Sequence, residues 1–201
     1  LNSISSFPPI WHYSRMKHIL APILLLVFLF PALAVGEEVT LDDLIQRDGI
    51  FYEKFSNVLF TGKVTGLQQG RFKNGVMEGP WVSYHENGQL LSEGAFKNGK
   101  TEGPWVLYYD TGRLSMKGTF KNGKEEGPWV FYYGNGQLEM KGDFKNGERG
   151  GLWIDYYDNG QLNKKGNYKN GLRDGPLVHY KSDGTVDEEL TGTFKNGVKV
   201  E

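Results

Sequence analysis

One stretch decides the fold: Lys117-Gly-Thr-Phe-Lys-Asn-Gly-Lys-Glu-Glu-Gly-Pro-Trp-Val-Phe-Tyr-Tyr-Gly-Asn-Gly-Gln-Leu138. It holds two Asn-Gly dipeptides thirteen residues apart, with a β-branched and aromatic run between them. Asn-Gly is a strong hairpin signal, because a type I′ turn needs positive φ at both central residues. The run Trp129-Val-Phe-Tyr-Tyr133 has the composition of a strand.

Outward from this stretch the pattern repeats. Phe-Lys-Asn-Gly begins at Phe72, Phe96, Phe120, Phe144 and Phe194, with Tyr168 opening one variant copy between the last two. The spacing is 24 residues until the last step, which is 26. Gly-Pro-Trp-Val begins at Gly79, Gly103 and Gly127, then becomes Gly151-Leu-Trp-Ile and Gly175-Pro-Leu-Val. Four Trp (Trp81, Trp105, Trp129, Trp153) occupy one slot of the period. A fixed period of this length marks a repeat architecture, in which each unit buries its apolar face on its neighbours.

Asn-Gly, Thr111-Gly112 or Asp183-Gly184 recurs in steps of 13 and 11. Two-residue turns at those places leave two strands per repeat and no helix inside the array. The fold class is therefore all-β: a single elongated, twisted antiparallel meander of hairpins. Counting from turns at 122–123 and 135–136 pairs Met116 with Trp129, Leu114 with Phe131, Trp129 with Gly142 and Gly127 with Phe144. Large aromatics beside glycines suit a sheet. The repeat core comprises Phe72, Trp81, Phe96, Trp105, Phe120, Trp129, Phe144, Trp153 and Tyr168. Period-two alternation puts Val130 and Tyr132 on the opposite face, between charged rows. That places Tyr84, Tyr108, Tyr132, Tyr156 and Tyr180 in one stripe. It is the candidate binding surface, since tyrosine is enriched in binding hot spots.

Composition excludes several classes. Lys plus Arg number 23 and Asp plus Glu 24, a formal charge of −1, without the basic excess of a nucleic-acid binder. There is no Cys, hence no disulfide framework, thiolate metal site or cysteine nucleophile. Gly is 28 of 201 and aromatics reach 14%, so the chain is no polar linker. No metal-ligand spacing joins His85 and His179, which read as solvated strand histidines. His85 stands where other repeats carry Tyr. Asp183-Gly-Thr-Val-Asp187 lacks the alternating oxygen ligands of a calcium loop and reads as a turn with an acidic edge. Gly134-Asn-Gly136 lacks the helix a phosphate cradle needs. Glu125 and Glu126 change between copies and do not form a fixed glycosidase pair. No catalytic residue, metal, cofactor or small-molecule substrate is expected.

The ends read differently. Arg15-Met-Lys-His18 precedes an apolar run from Ile19 to Phe30, then Ala32-Leu-Ala34. A positive start, a short apolar stretch and small residues make a secretory signal peptide. Cleavage follows Ala34, or Gly36 as the alternative. The run is shorter than a membrane span and carries Pro22 and Pro31; an uncleaved N-terminal anchor is the competing reading. The expected domains are a signal segment over 1–34, with Met16 as the true start, an N-terminal cap and half repeat over 35–66, and the repeat array over 67–201. Removing residues 1–34 leaves a mature charge of −3. Thr40-Leu-Asp-Asp43 looks like a capping box opening a short helix in the cap. The expected address is exported, periplasmic or extracellular.

The unit at 117–138 resembles the membrane occupation and recognition nexus (MORN) repeat, and more closely its bacterial variant, over about residues 60–201. The resemblance implies a scaffold for protein or membrane contacts. Some bacterial proteins of this variant are described as antitoxins, so an antitoxin or immunity role is an alternative. Exported Gly/aromatic hairpin repeats that hold choline or wall sugars through cation–π contact suggest another, a lipid or cell-wall ligand binder. The leading expectation is a non-enzymatic, exported scaffold with a protein partner in the cell envelope.

Overall fold

A computed structural model of the chain describes residues 38–200. The signal segment at 1–34 and the start at Met16 lie outside them.

Consecutive antiparallel strands build one long sheet, beginning with Gly62–Val64 and Gln68–Lys73. It continues through Gly79–Tyr84, Leu90–Lys97, Gly103–Tyr108, Leu114–Lys121, Lys124–Tyr132, Leu138–Lys145, Glu148–Tyr156, Leu162–Lys169, Leu172–His179, Gly192–Lys195 and Val198–Lys199. Two short strands, Val76–Met77 and Lys100–Thr101, pair back onto the strand before each. Along that main path neighbours in sequence are neighbours in the sheet, and no helix interrupts the array.

The turns fall into two kinds, not one. Asn74, Asn98, Asn122, Asn146, Asn170 and Asn196 all have φ between 47° and 53°, each followed by a positive-φ glycine. These are the expected I′ turns. At Asn87, Asn135 and Asn159 only the following glycine enters the left-handed region. There the loop is longer: Gly136 N–H closes a β-turn on Tyr133 C=O at 2.8 Å, and Tyr133 N–H pairs with Gln137 C=O. Asn135 Oδ1 accepts from Gln137 N–H at 2.9 Å. An asparagine that bonds its own backbone this way has no need of the left-handed conformation. The expectation of two-residue turns fails at these loops.

The register shows a second correction. Near Asn122 the pairs are those counted from the turn: Lys121 with Lys124, Phe120 with Glu125, Thr119 with Glu126. Beyond them Lys117 pairs with Val130 and Met116 with Phe131, so Met116 does not face Trp129, nor Leu114 Phe131. A bulge intervenes: Gly118 lies opposite Gly127, Pro128 and Trp129 together. Pro128 has no N–H to give the ladder, and Gly127 takes φ +70°, where a side chain is strained although nothing crowds the position. Across the other turn, Trp129 pairs with Gly142 and Gly127 with Phe144, as counted.

The bulge decides the packing. It carries each tryptophan over the glycine of the preceding strand: Trp129 over Gly118, Trp153 over Gly142, Trp105 over Gly94 and Trp81 over Gly70, where a Cβ would overlap the ring. The indole N–H of Trp153 donates to Asp143 C=O at 3.1 Å, and that of Trp129 to Thr119 C=O at 3.3 Å. Phenylalanines fill the spaces between in edge-to-face contact, the arrangement their quadrupoles favour. The spine runs Phe72, Trp81, Phe96, Trp105, Phe120, Trp129, Phe144, Trp153, Tyr168, with centroid separations of 4.9–6.4 Å. Trp81, Trp129, Trp153 and Phe72 are buried; Trp105, Phe96, Phe120, Phe144 and Tyr168 are half-buried. Leu177 takes the tryptophan slot in the last full repeat and is buried over Gly166.

At the N-terminal end the helix is one 3-10 turn, Leu41–Asp43. Asp43 Oδ2 accepts from Thr40 N–H and Oγ1–H at 2.9 and 2.7 Å, and those bonds hold its carboxyl below the usual range. The turn goes no further because Leu44–Arg47 pairs with Ile50–Glu53 about Asp48-Gly49. Phe51 and Phe60 then pack on Phe72, closing the first end of the spine.

Candidate functional site

Along each Gly-Pro-Trp-Val-x-Tyr strand the tryptophan takes one face, and alternation sends the Val and Tyr to the other. The register lines these residues into rows across the sheet. Val82 pairs with Glu93, Glu93 with Val106, Val106 with Lys117 and Lys117 with Val130. Val130 pairs with Lys141, Lys141 with Ile154, Ile154 with Lys165 and Lys165 with Val178. The row thus alternates apolar and charged members, with lysine in three of the four charged places.

Shallow concavities lie along this row. One of about 370 Å³ is lined by Pro80, Val82, Glu93, Pro104 and Val106. Another of about 320 Å³ is lined by Pro128, Val130, Lys141, Leu152 and Ile154. Leu152, which replaces the proline of other repeats, is half exposed.

The tyrosine stripe borders the row. Tyr84, Tyr108, Tyr132, Tyr156 and Tyr180 are each half-buried. Tyr108 Oη–H donates to Glu93 at 3.3 Å. Burial, reinforced by the Glu93 charge, raises the Tyr108 phenol above its ordinary value, so it stays a neutral donor. Lys165 Nζ lies 6.0 Å from the Tyr180 ring centroid.

A second ladder escaped sequence reasoning. The hydroxyl of Tyr109 donates to Tyr132 C=O at 2.6 Å, Tyr133 to Tyr156 C=O at 2.8 Å, and Tyr157 to Tyr180 C=O at 2.8 Å. His85 Nε2 is 3.1 Å from Tyr108 C=O. A carbonyl only accepts, so Nε2 carries the proton. Each bond joins one repeat to the next. The available signal was the doublet itself, Tyr108-Tyr109, Tyr132-Tyr133 and Tyr156-Tyr157, with His85 in the second place of Tyr84-His85. His85 is therefore no solvated strand histidine: it lies past the end of Gly79–Tyr84, half-buried and bonded. His179 is on a strand but also half-buried, and burial lowers its imidazole below the ordinary value, aided by the Lys164 and Arg173 charges.

The other sequence candidates are spent on structure. Asp183 Oδ1 accepts from Thr185 N–H and Oγ1–H, and Asp187 Oδ1 from Glu189 and Leu190 N–H. Glu126 Oε2 accepts from Asn146 N–H at 2.9 Å. Among the described residues, no group of three or more His, Asp or Glu is placed to hold a metal ion.

A single open sheet with a regularly repeated face defines a repeat scaffold. The profile of the MORN repeat variant matches residues 77–98, 101–122, 125–146 and 149–170. Four tandem stretches of the chain, within residues 77–170, thus match that repeat. MORN repeats are non-catalytic scaffolds found in repeat proteins, often engaging proteins or membranes. No curated protein matches the chain.

Proposed function

We propose that this protein is an exported, non-enzymatic scaffold that holds a protein partner in the cell envelope against its Val/Tyr face. The observation that carries the reading is the row from Val82 to Val178, where apolar members alternate with Glu93, Lys117, Lys141 and Lys165 beside five half-buried tyrosines. Aromatic anchors in a charged surround suit a protein partner. The signal segment read at 1–34 supports export.

Pull-down from envelope extract with the parent and with Tyr108→Ser, Tyr132→Ser, Tyr156→Ser combined tests it. Loss of a specific band supports the face as interface; an unchanged set of bound proteins sinks it. The lysines Lys117, Lys141 and Lys165 favour one second reading, an anionic lipid or cell-wall surface. Co-sedimentation with anionic vesicles or peptidoglycan that survives the tyrosine changes but fails when the three lysines become Gln selects that reading.

A further inference from the structure

The repeats carry an acid that braces the next I′ turn. Glu78 accepts from Asn98 N–H at 2.7 Å, Glu102 from Asn122 N–H at 2.7 Å and Glu126 from Asn146 N–H at 2.9 Å. Asp174 does the same for Asn196 N–H at 3.4 Å. One repeat breaks the rule. Its slot holds Gly150, twenty residues before Asn170, and Asn170 N–H has no such partner among the described residues. Neither space nor backbone demands glycine there: φ is not positive, and a Cβ would meet nothing within 4 Å.

Gly150 and Asn170 line a hollow of about 490 Å³. Its walls carry four cations, Lys124, Lys145, Arg149 and Lys169, against one carboxylate, Glu148. The Arg149 guanidinium sits 4.1 Å from the Trp153 ring centroid and 5.6 Å from that of Tyr168, and Nη2 reaches Met140 Sδ at 3.3 Å. It takes part in neither ion pair found among the described residues, Lys164–Asp155 and Lys195–Asp174. Stacking leaves the edge of a guanidinium open to a carboxylate.

We propose that this hollow is a carboxylate-binding site, in which an external acid takes the place that the chain's own glutamate or aspartate holds in the other repeats. Asn170 N–H, the Arg149 edge and the surrounding lysines supply the donors. The site uses none of the tyrosines of the candidate surface and stands whether or not that surface binds a partner.

The test is calorimetric titration of the full chain with glutarate, with hexaglutamate and with inorganic phosphate, repeated on Gly150→Glu, Gly150→Ala and Arg149→Met. Glutarate or hexaglutamate should bind the parent and Gly150→Ala alike. Binding should fall about tenfold or more in Gly150→Glu, which fills the slot, and in Arg149→Met, which removes one charge-assisted bond. Equal affinity for both acids identifies a small carboxylate as sufficient. Hexaglutamate at least about tenfold tighter identifies an acidic segment of a partner chain. Binding undiminished in Gly150→Glu, binding of neither acid, or preference for phosphate overturns the proposal. Gly150→Ala, which adds no carboxylate, separates loss of the site from loss of the fold.

Discussion

The Tyr133 hydroxyl of one repeat donates to the backbone carbonyl of Tyr156 in the next, 2.8 Å away. Tyr109 and Tyr157 make the same bond one repeat earlier and later. These hydroxyls tie successive repeats together outside the backbone ladder. Tyr133→Phe should lower the unfolding free energy by about 1 kcal/mol, the usual worth of one such bond. Changing Tyr109, Tyr133 and Tyr157 together should cost more than any single change. Urea denaturation followed by tryptophan fluorescence measures both; a triple variant as stable as the parent would show that the ladder holds nothing.

Gly142 lies beneath Trp153, and a Cβ there would overlap the ring. Gly134, in a loop, has nothing within 4 Å of the same position. Gly142→Ala should destabilise by about 1–3 kcal/mol through overpacking, while Gly134→Ala stays within about 0.5 kcal/mol as an exposed loop change. The pair of melting curves checks the claim, and equal midpoints would contradict it.

The repeat must be removed whole. Excising 101–124 joins Lys100 to Glu125 and keeps every tryptophan strand beside a glycine strand. Excising 113–124 sets two tryptophan strands side by side, with no glycine row between them. Circular dichroism should show a folded β spectrum and a cooperative melt for the first deletion and neither for the second. A well-folded shorter deletion would refute the pairing.

His179 faces Lys164, Arg173, Asp187 and Asp155, and burial is the main cause of its lowered pKa. The folded state resists a proton that the unfolded state accepts. Stability is therefore complete above the ordinary histidine value and falls as pH drops through it toward the lower folded value. His179→Gln should flatten the decline in urea midpoint between about pH 7 and pH 5. An identical slope in parent and variant would remove His179 as its source.

The period of 24, the I′ turns at Phe-Lys-Asn-Gly and the opposite faces of Trp129 and Val130 were legible from residue order alone. Each follows from chemistry within a few bonds: positive φ at Asn122 and Gly123, and alternation along a strand. What order did not reveal depends on contacts between strands. The slip of Met116 from Trp129 to Phe131 follows from a bulge, and only the placed chain shows Gly127 and Pro128 standing together opposite Gly118. Asn135 differs from Asn122 because its side chain bonds Gln137 and the neighbouring repeat's Asp158. The place of Gly150 matters because the fold sets it in one hollow with Asn170.

The residues by themselves determined a sheet of repeating hairpins, since turn dipeptides and side-chain alternation act locally. Tertiary structure decided which ring covers which glycine, which hydroxyl ties one repeat to the next, and where a missing acid leaves cations gathered around a hollow. Those relations join residues from 11 to 23 positions apart, and only a folded sheet brings them into contact.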